Sequence, residues 1–224
     1  MNKQKLQLLA IGILILFVTS LVAQFFIMNA GTKQSPPEAI KVACVGDSLT
    51  QSTVYPLVLW INLGLETYDV QNFGVGSTTV ILESETPYMD TPTFQEALDF
   101  QPDIVILLIG TNDAQPSLFP VNTTFVSDYL ELVSAFQGLS SNPEIWIVLP
   151  PPLFGDKGGT ISPEYFANTI IPLIKQVANQ TNLPTIDVYS ALSDASEYFP
   201  DGLHPNVEGG TLIAEEIYKA LAPN

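Results

Sequence analysis

Short apolar runs alternate along most of the chain with longer amphipathic segments, and each run ends in a polar turn. Positions 42–45 are apolar without interruption, the pattern of a strand covered on both faces. Gly46 breaks that run and Ser48 follows it. The spacing predicts strands over 41–45, 68–73, 104–109, 145–149 and 185–188. Between them it predicts helices over 55–65, 93–100, 125–136 and 163–179, and a last amphipathic helix over 207–221. Ser52 or Thr53 is the expected N-cap of the first helix, with Pro56 tolerated in its first turn. Ser162 is the expected cap of the fourth, with Pro163 at its first position, and Pro172 is expected to kink it.

Strands that alternate with helices imply βαβ units and a mostly parallel sheet with helices on both faces. The fold class is therefore α/β, a flavodoxin-like three-layer α/β/α arrangement around a central parallel five-stranded sheet in the order 2-1-3-4-5. In that order the ligand crevice lies between strands 1 and 3, outside their C-terminal ends. Ser48 follows strand 1 and Asn112 follows strand 3, so their turns flank one crevice. No internal repeat or second domain interrupts the pattern.

The N-terminus stands apart. Lys3 and Lys5 precede an uncharged run over 6–28, about 23 residues and long enough to span a bilayer. Residues 1–30 thus read as an uncleaved membrane anchor or as a signal peptide cleaved near Ala23 or Ala30, with length favouring the anchor. The flanking lysines predict an N-in orientation, which puts the rest of the chain on the extracytoplasmic side, secreted or anchored. Residues 31–39 are polar and proline-bearing, a linker to a domain over 40–224.

Seven basic residues face 23 acidic ones, and two of the seven lie in the leader. So acidic a surface repels nucleic acid. There is no arginine, so the fork that grips phosphate or carboxylate at two points is missing and anionic substrates are disfavoured. The single cysteine, Cys44, lies mid-strand and reads as a small buried hydrophobe. No cluster of histidine and cysteine has metal-ligand spacing, and no metal or cofactor is expected.

A serine hydroxyl needs an adjacent base to act as a nucleophile. The chain contains one histidine, His204, in Asp201-Gly202-Leu203-His204-Pro205-Asn206. Asp201 precedes it by three positions, so one tight turn can present both side chains. The carboxylate would fix the ring tautomer and leave the other nitrogen for Ser48. Taken alone, either stretch is equally a polar turn; their joint occurrence with two further turns is what carries weight.

Four blocks, Gly46-Asp47-Ser48-Leu49, Asn72-Phe73-Gly74-Val75-Gly76-Ser77, Gly110-Thr111-Asn112-Asp113 and Asp201-Gly202-Leu203-His204-Pro205, resemble those of the SGNH (GDSL-type) hydrolases, over about residues 40–222. The resemblance implies Ser48 as nucleophile, His204 as base and acid, and Asp201 as its orienter. It also implies an oxyanion hole formed by the Ser48 amide, the Asn112 side-chain amide and a backbone amide of the second block. Similar proteins carry glycine where this chain has Ser77. The Ser77 amide is the preferred donor and Gly76 the second choice, and glycine there points to a φ that serine reaches less easily.

Looser similarity over 86–88, 150–155 and 170–174 resembles the carbohydrate acetylesterase members of that family. It implies a small-molecule or glycan ester as substrate, cleaved at short acetyl groups. Tyr55, Trp60, Tyr88 and Trp146 are open as sugar-stacking platforms or as core. A lipid-directed esterase or lysophospholipase is the enzyme alternative, with Leu118-Phe119-Pro120 in an acyl groove. A catalytically impaired surface binding module is the other, and a flavin-binding flavodoxin would leave Asn112 and His204 unexplained. Asn122 and Asn179 head glycosylation triplets.

Overall fold

The computed structural model describes residues 39–118, 122–155 and 161–222. The leader, nearly all of the linker, and Phe119 and Pro120 of the expected acyl groove lie outside the described residues. Among those described, no helix is long and apolar enough to cross a membrane.

Five parallel strands form one sheet: β1 (Ile40–Gly46), β2 (Tyr68–Gly74), β3 (Ile104–Leu108), β4 (Glu144–Leu149) and β5 (Thr185–Asp187). Their order is β2-β1-β3-β4-β5, as expected from the alternating pattern. All pairings are parallel, with Val42 opposite Ile104 and Val70. Successive β1 residues serve opposite faces, which is why the strand is apolar throughout. Ala43 and Val45 enter a core with helices α3 (Pro92–Asp99), α4 (Phe125–Gln137) and α5 (Ile171–Thr181). Val42 and Cys44 enter a second core, under α2 (Tyr55–Leu63) and α7 (Val207–Leu221). The result is three layers, with the sheet in the middle.

Several local expectations need correction. Ser48–Gln51 forms a one-turn helix, α1, capped by Asp47, whose carboxylate accepts from the Leu49 amide at 2.9 Å. Four residues are too few for a periodic pattern to register. Neither Ser52 nor Thr53 caps α2; Val54 holds that position without a side-chain hydrogen bond. Thr53 instead donates its hydroxyl back to the Leu49 carbonyl at 2.7 Å, closing α1. The fourth expected helix does begin at Ser162, whose hydroxyl accepts from the Tyr165 amide. It then widens into a π-turn over Phe166–Ile170 before α5. Pro172 lacks an N–H, so a regular helix would leave the carbonyl four residues back without a donor, and the wider turn absorbs that mismatch. Strand β5 stops at Asp187, because its carboxylate caps a short helix, α6 (Val188–Ala191), by accepting from the Ser190 amide.

The aromatic candidates are part of the interior. Tyr55 and Tyr88 are buried, and Trp60 and Trp146 are half-buried against the core shared with α2 and α7. The Tyr88 hydroxyl donates to the Phe73 carbonyl at 2.7 Å, and Tyr55 hydrogen-bonds Thr50 through their hydroxyls. Neither buried ring offers an open face for a sugar.

Candidate functional site

Strand β1 delivers the chain to Asp47, and α1 begins at Ser48, which is half-buried at the C-terminal edge of the sheet. The second component arrives from the other end of the domain. Asn206 caps α7 by accepting from the Gly209 amide at 2.9 Å, which fixes where the preceding turn can sit. Ile213, Ala214 and Ile217 bury the inner face of that helix. Gly202, at φ 78°, turns the chain just before, and its carbonyl accepts from the Phe154 amide at 2.8 Å. The 201–204 turn is thereby pinned to the segment that follows β4.

Within that turn Asp201 is fully committed to its neighbours. Oδ1 accepts from the amides of Leu203 at 2.9 Å and His204 at 2.6 Å. Oδ2 lies 2.9 Å from His204 Nδ1, and His204 Nε2 lies 2.9 Å from Ser48 Oγ. An ionised carboxylate can only accept, so Nδ1 carries the ring proton and Nε2 is left to accept from the Ser48 hydroxyl. Three side chains thus form one continuous relay. Both Asp201 and His204 side chains are 40% exposed, so solvent screens their attraction and the pair contributes geometry more than stability.

The other expected residues stand on the opposite side of Ser48. A Cβ built on Gly76 would lie 3.8 Å from Ser48 Cβ, which puts the second block directly beside the serine. The Gly76 amide donates to Gln51 Oε1 at 2.9 Å and is therefore occupied. The Ser77 amide has no hydrogen-bond acceptor among the described residues. Ser77 itself sits at φ 64°, in the left-handed region that glycine enters freely and serine does not. The chain holds it there by donating the Thr86 hydroxyl to the Ser77 carbonyl at 2.8 Å. Asn112 is nearly buried and spends one N–H on the Thr78 carbonyl at 2.9 Å, leaving the other to point elsewhere.

Sequence reasoning missed the residues that hold these groups. Asn72 donates to the Thr50 carbonyl at 2.9 Å and accepts from the Gly74 amide, tying the second block to α1. Gln51 fixes Gly76, and Asp113 accepts from the amides of Val80 and Ile81. Apart from Gly74, these partners lie far off in sequence; membership of the blocks signalled Asn72 and Asp113, and nothing signalled Gln51. Asp47, which precedes Ser48, and Asp113, which follows Asn112, are both fully buried. Burial pushes Asp47 up to about 6, against the pull of the Leu49 and Thr111 groups. Burial pushes Asp113 up to about 7, opposed by its two amide donors and reinforced by the charge of Asp47. Cys44 is driven up to about 12 by burial, which leaves it inert as a nucleophile.

Known proteins resemble this chain in sequence and in fold. The pattern of the GDSL-like Lipase/Acylhydrolase family matches residues 44–212. An acetylxylan esterase of Xylanibacter ruminicola is 30% identical over 210 residues, covering 82% of this chain. The match takes in 43% of that relative, so this chain spans under half of its length. Among solved structures, the acetyl xylan esterase AlAXEase superposes with a TM-score of 0.66 at 22% identity, covering 81% of this chain and 100% of its own. The lipase/acylhydrolase from Enterococcus faecalis gives 0.66 at 24% identity, covering 83% and 98%. Axe2, an acetylxylan esterase from Geobacillus stearothermophilus, gives 0.65 at 18% identity, covering 85% and 98%. With four blocks gathered at one edge of a five-stranded parallel sheet, and three quarters of its length matched, this chain belongs to the GDSL-like lipase/acylhydrolase family.

Proposed function

We propose that the chain is a serine esterase that removes acetyl groups from carbohydrate hydroxyls. The observation that carries this reading is the unbroken relay from Asp201 through His204 to Ser48, with 2.9 Å at each step. Ser48 Oγ attacks the ester carbonyl carbon while Nε2 takes its proton. The carbonyl electrons move onto oxygen, giving an oxyanion held by the amides of Ser48 and Ser77 and the free N–H of Asn112. Those donors are fixed before the reaction, so they do not have to reorganise as charge develops. Nε2 then protonates the leaving alcohol, the C–O bond breaks, and an acetyl-serine remains. Water enters, Nε2 removes its proton, and acetate departs as the proton returns to Ser48 Oγ. Asp201 stays ionised and holds the imidazolium in place.

Two observations favour a short acyl group on a sugar over a lipid. Among the described residues, those that line the cleft bordered by Ser77 bear hydroxyl, amide or carboxylate groups, with Leu118 as the one apolar side chain. A long acyl chain would require a continuous apolar trench instead. The relatives named as acetylxylan esterases support the same substrate class. A leader over 1–30 that exports or anchors the domain is part of this proposal, since it would bring the site to polysaccharide outside the cell.

The test is hydrolysis of acetyl, butyryl and octanoyl p-nitrophenyl esters by the full chain, alongside Ser48→Ala and His204→Ala. Turnover that falls steeply beyond acetyl and is lost in both variants is expected. Faster turnover of octanoyl would move the assignment to lipids. Absence of Ser48-dependent turnover would make the chain a binding module.

A further inference from the structure

The same cleft supports a more specific statement, which rests on the glycan reading above. It measures about 440 Å³ and lies between the loop over 77–86 and the segment over 115–118. An acetyl group cannot fill a volume of this order, which falls in the range that takes drug-sized ligands. Beside Ser77 the cleft thus has room for a part of the substrate larger than its acetyl group.

The cleft wall is already folded. The Thr79 amide donates to the Thr86 carbonyl and the Tyr88 amide donates to the Thr79 carbonyl, while the Thr79 and Ser84 hydroxyls pair with each other. Thr86 spends its hydroxyl on Ser77. By contrast, the side chains of Glu83, Glu85, Gln115 and Ser117 carry no hydrogen bond among the described residues, and they face the same space. Two carboxylates, an amide and a hydroxyl are thus available to exchange solvent for a ligand. A sugar ring, each of whose hydroxyls can both donate and accept, complements such a set. A phosphate or a uronic acid does not, because among the described residues the lining has two carboxylates and no cationic side chain.

We propose that this cleft is a subsite for neutral sugar units next to the acetylated one, with Gln115 among its hydrogen-bonding groups, and that Glu83 and Glu85 select against acidic glycan chains. Acetate release would then be fastest on uncharged oligosaccharides whose neighbouring sugars reach across Ser77 into the cleft.

The experiment compares the full chain with Glu83→Ala/Gln115→Ala and with Glu83→Gln/Glu85→Gln. Three substrates are used: p-nitrophenyl acetate, chemically acetylated xylotetraose, and an acetylated xylo-oligosaccharide bearing a glucuronic acid. The alanine pair should raise KM for acetylated xylotetraose about tenfold, from two lost hydrogen bonds, with kcat and p-nitrophenyl acetate turnover held. The glutamine pair should narrow the gap between the neutral and acidic oligosaccharides. Oligosaccharide turnover whose KM ignores both variants would overturn the subsite while leaving the esterase assignment standing. A change in acyl-length preference without a change in oligosaccharide KM would give the cleft to the acyl group and also overturn it. Wild-type turnover of p-nitrophenyl acetate with none of any oligosaccharide would remove the glycan reading and this inference together.

Discussion

Replacing Gly74 by alanine tests how tightly the serine is held. Gly74 ends β2, and a Cβ there would meet the Gln51 amide nitrogen at 2.2 Å, with Gln51 Cα and the Thr50 carbonyl carbon each at 2.7 Å. All three are backbone atoms, so no side chain can swing aside. Carbon contacts become favourable only at about 3.5–4.0 Å, so the strand end and α1 must separate by roughly 1 Å. Ser48 and Gln51 belong to the same single turn, and a turn that short moves as one body. The displacement therefore reaches Ser48 Oγ and stretches its 2.9 Å bond to His204 Nε2. Forced overpacking of this kind costs about 1–3 kcal/mol of stability, and a 1 Å misplacement of a reacting group costs about 10²-fold in rate. The assay is kcat/KM on p-nitrophenyl acetate beside urea unfolding followed by circular dichroism. Gly138→Ala is the control, because its Cβ would meet nothing closer than 3.4 Å. A folded Gly74→Ala protein within about threefold of wild type in kcat/KM would refute the reasoning, since α1 would then tolerate displacement without loss of transition-state stabilisation.

Ser77→Gly should raise unfolding free energy by up to about 1 kcal/mol, because left-handed strain of about 1–2 kcal/mol at φ 64° is relieved and glycine's extra chain entropy of about 0.5–1 kcal/mol offsets part of it. A lower urea midpoint for Ser77→Gly would show that serine is unstrained there. Stability should also fall as pH rises from about 4 to 7. Asp47 and Asp113 have folded values near 6 and 7, raised from 3.8, so the stability they contribute is full below about 4 and is lost as pH climbs through those values. Each can add a slope of up to about 1.4 kcal/mol per pH unit. Repulsion among surface carboxylates acts in the same direction, so the check is the difference in slope between wild type and Asp113→Asn; equal slopes would mean that Asp113 ionises normally.

The strand order and the principal relay were legible for separate reasons. Buried parallel strands must be apolar on both faces, which makes positions 42–45 and 104–108 stand out without any structural aid. His204 was legible by scarcity, being the only imidazole in the chain, and Asp201 by its place one turn before it. What stayed hidden depends on contacts between distant segments. Gln51 and Gly76 meet across 25 residues, and Asp113 and Val80 across 33, and no local pattern encodes such a meeting. The π-turn was half legible, because Pro172 announced a disturbance but not the form it would take. At Ser77 a departure from the family pattern did forecast a backbone conformation, since glycine's one irreplaceable property is a positive φ.

Ser48 and His204 are separated by 156 residues, whereas Asp201 and His204 share one turn. A chain leaves the ribosome N-terminus first, so the Ser48 hydroxyl is made long before the imidazole it hydrogen-bonds. Until residues 201–204 have been synthesised and α7 has docked, the serine is an ordinary alcohol. On the proposed mechanism, hydrolysis would begin only when residues 201–204 close onto Ser48, and onset of turnover during refolding would be a clock for that docking step.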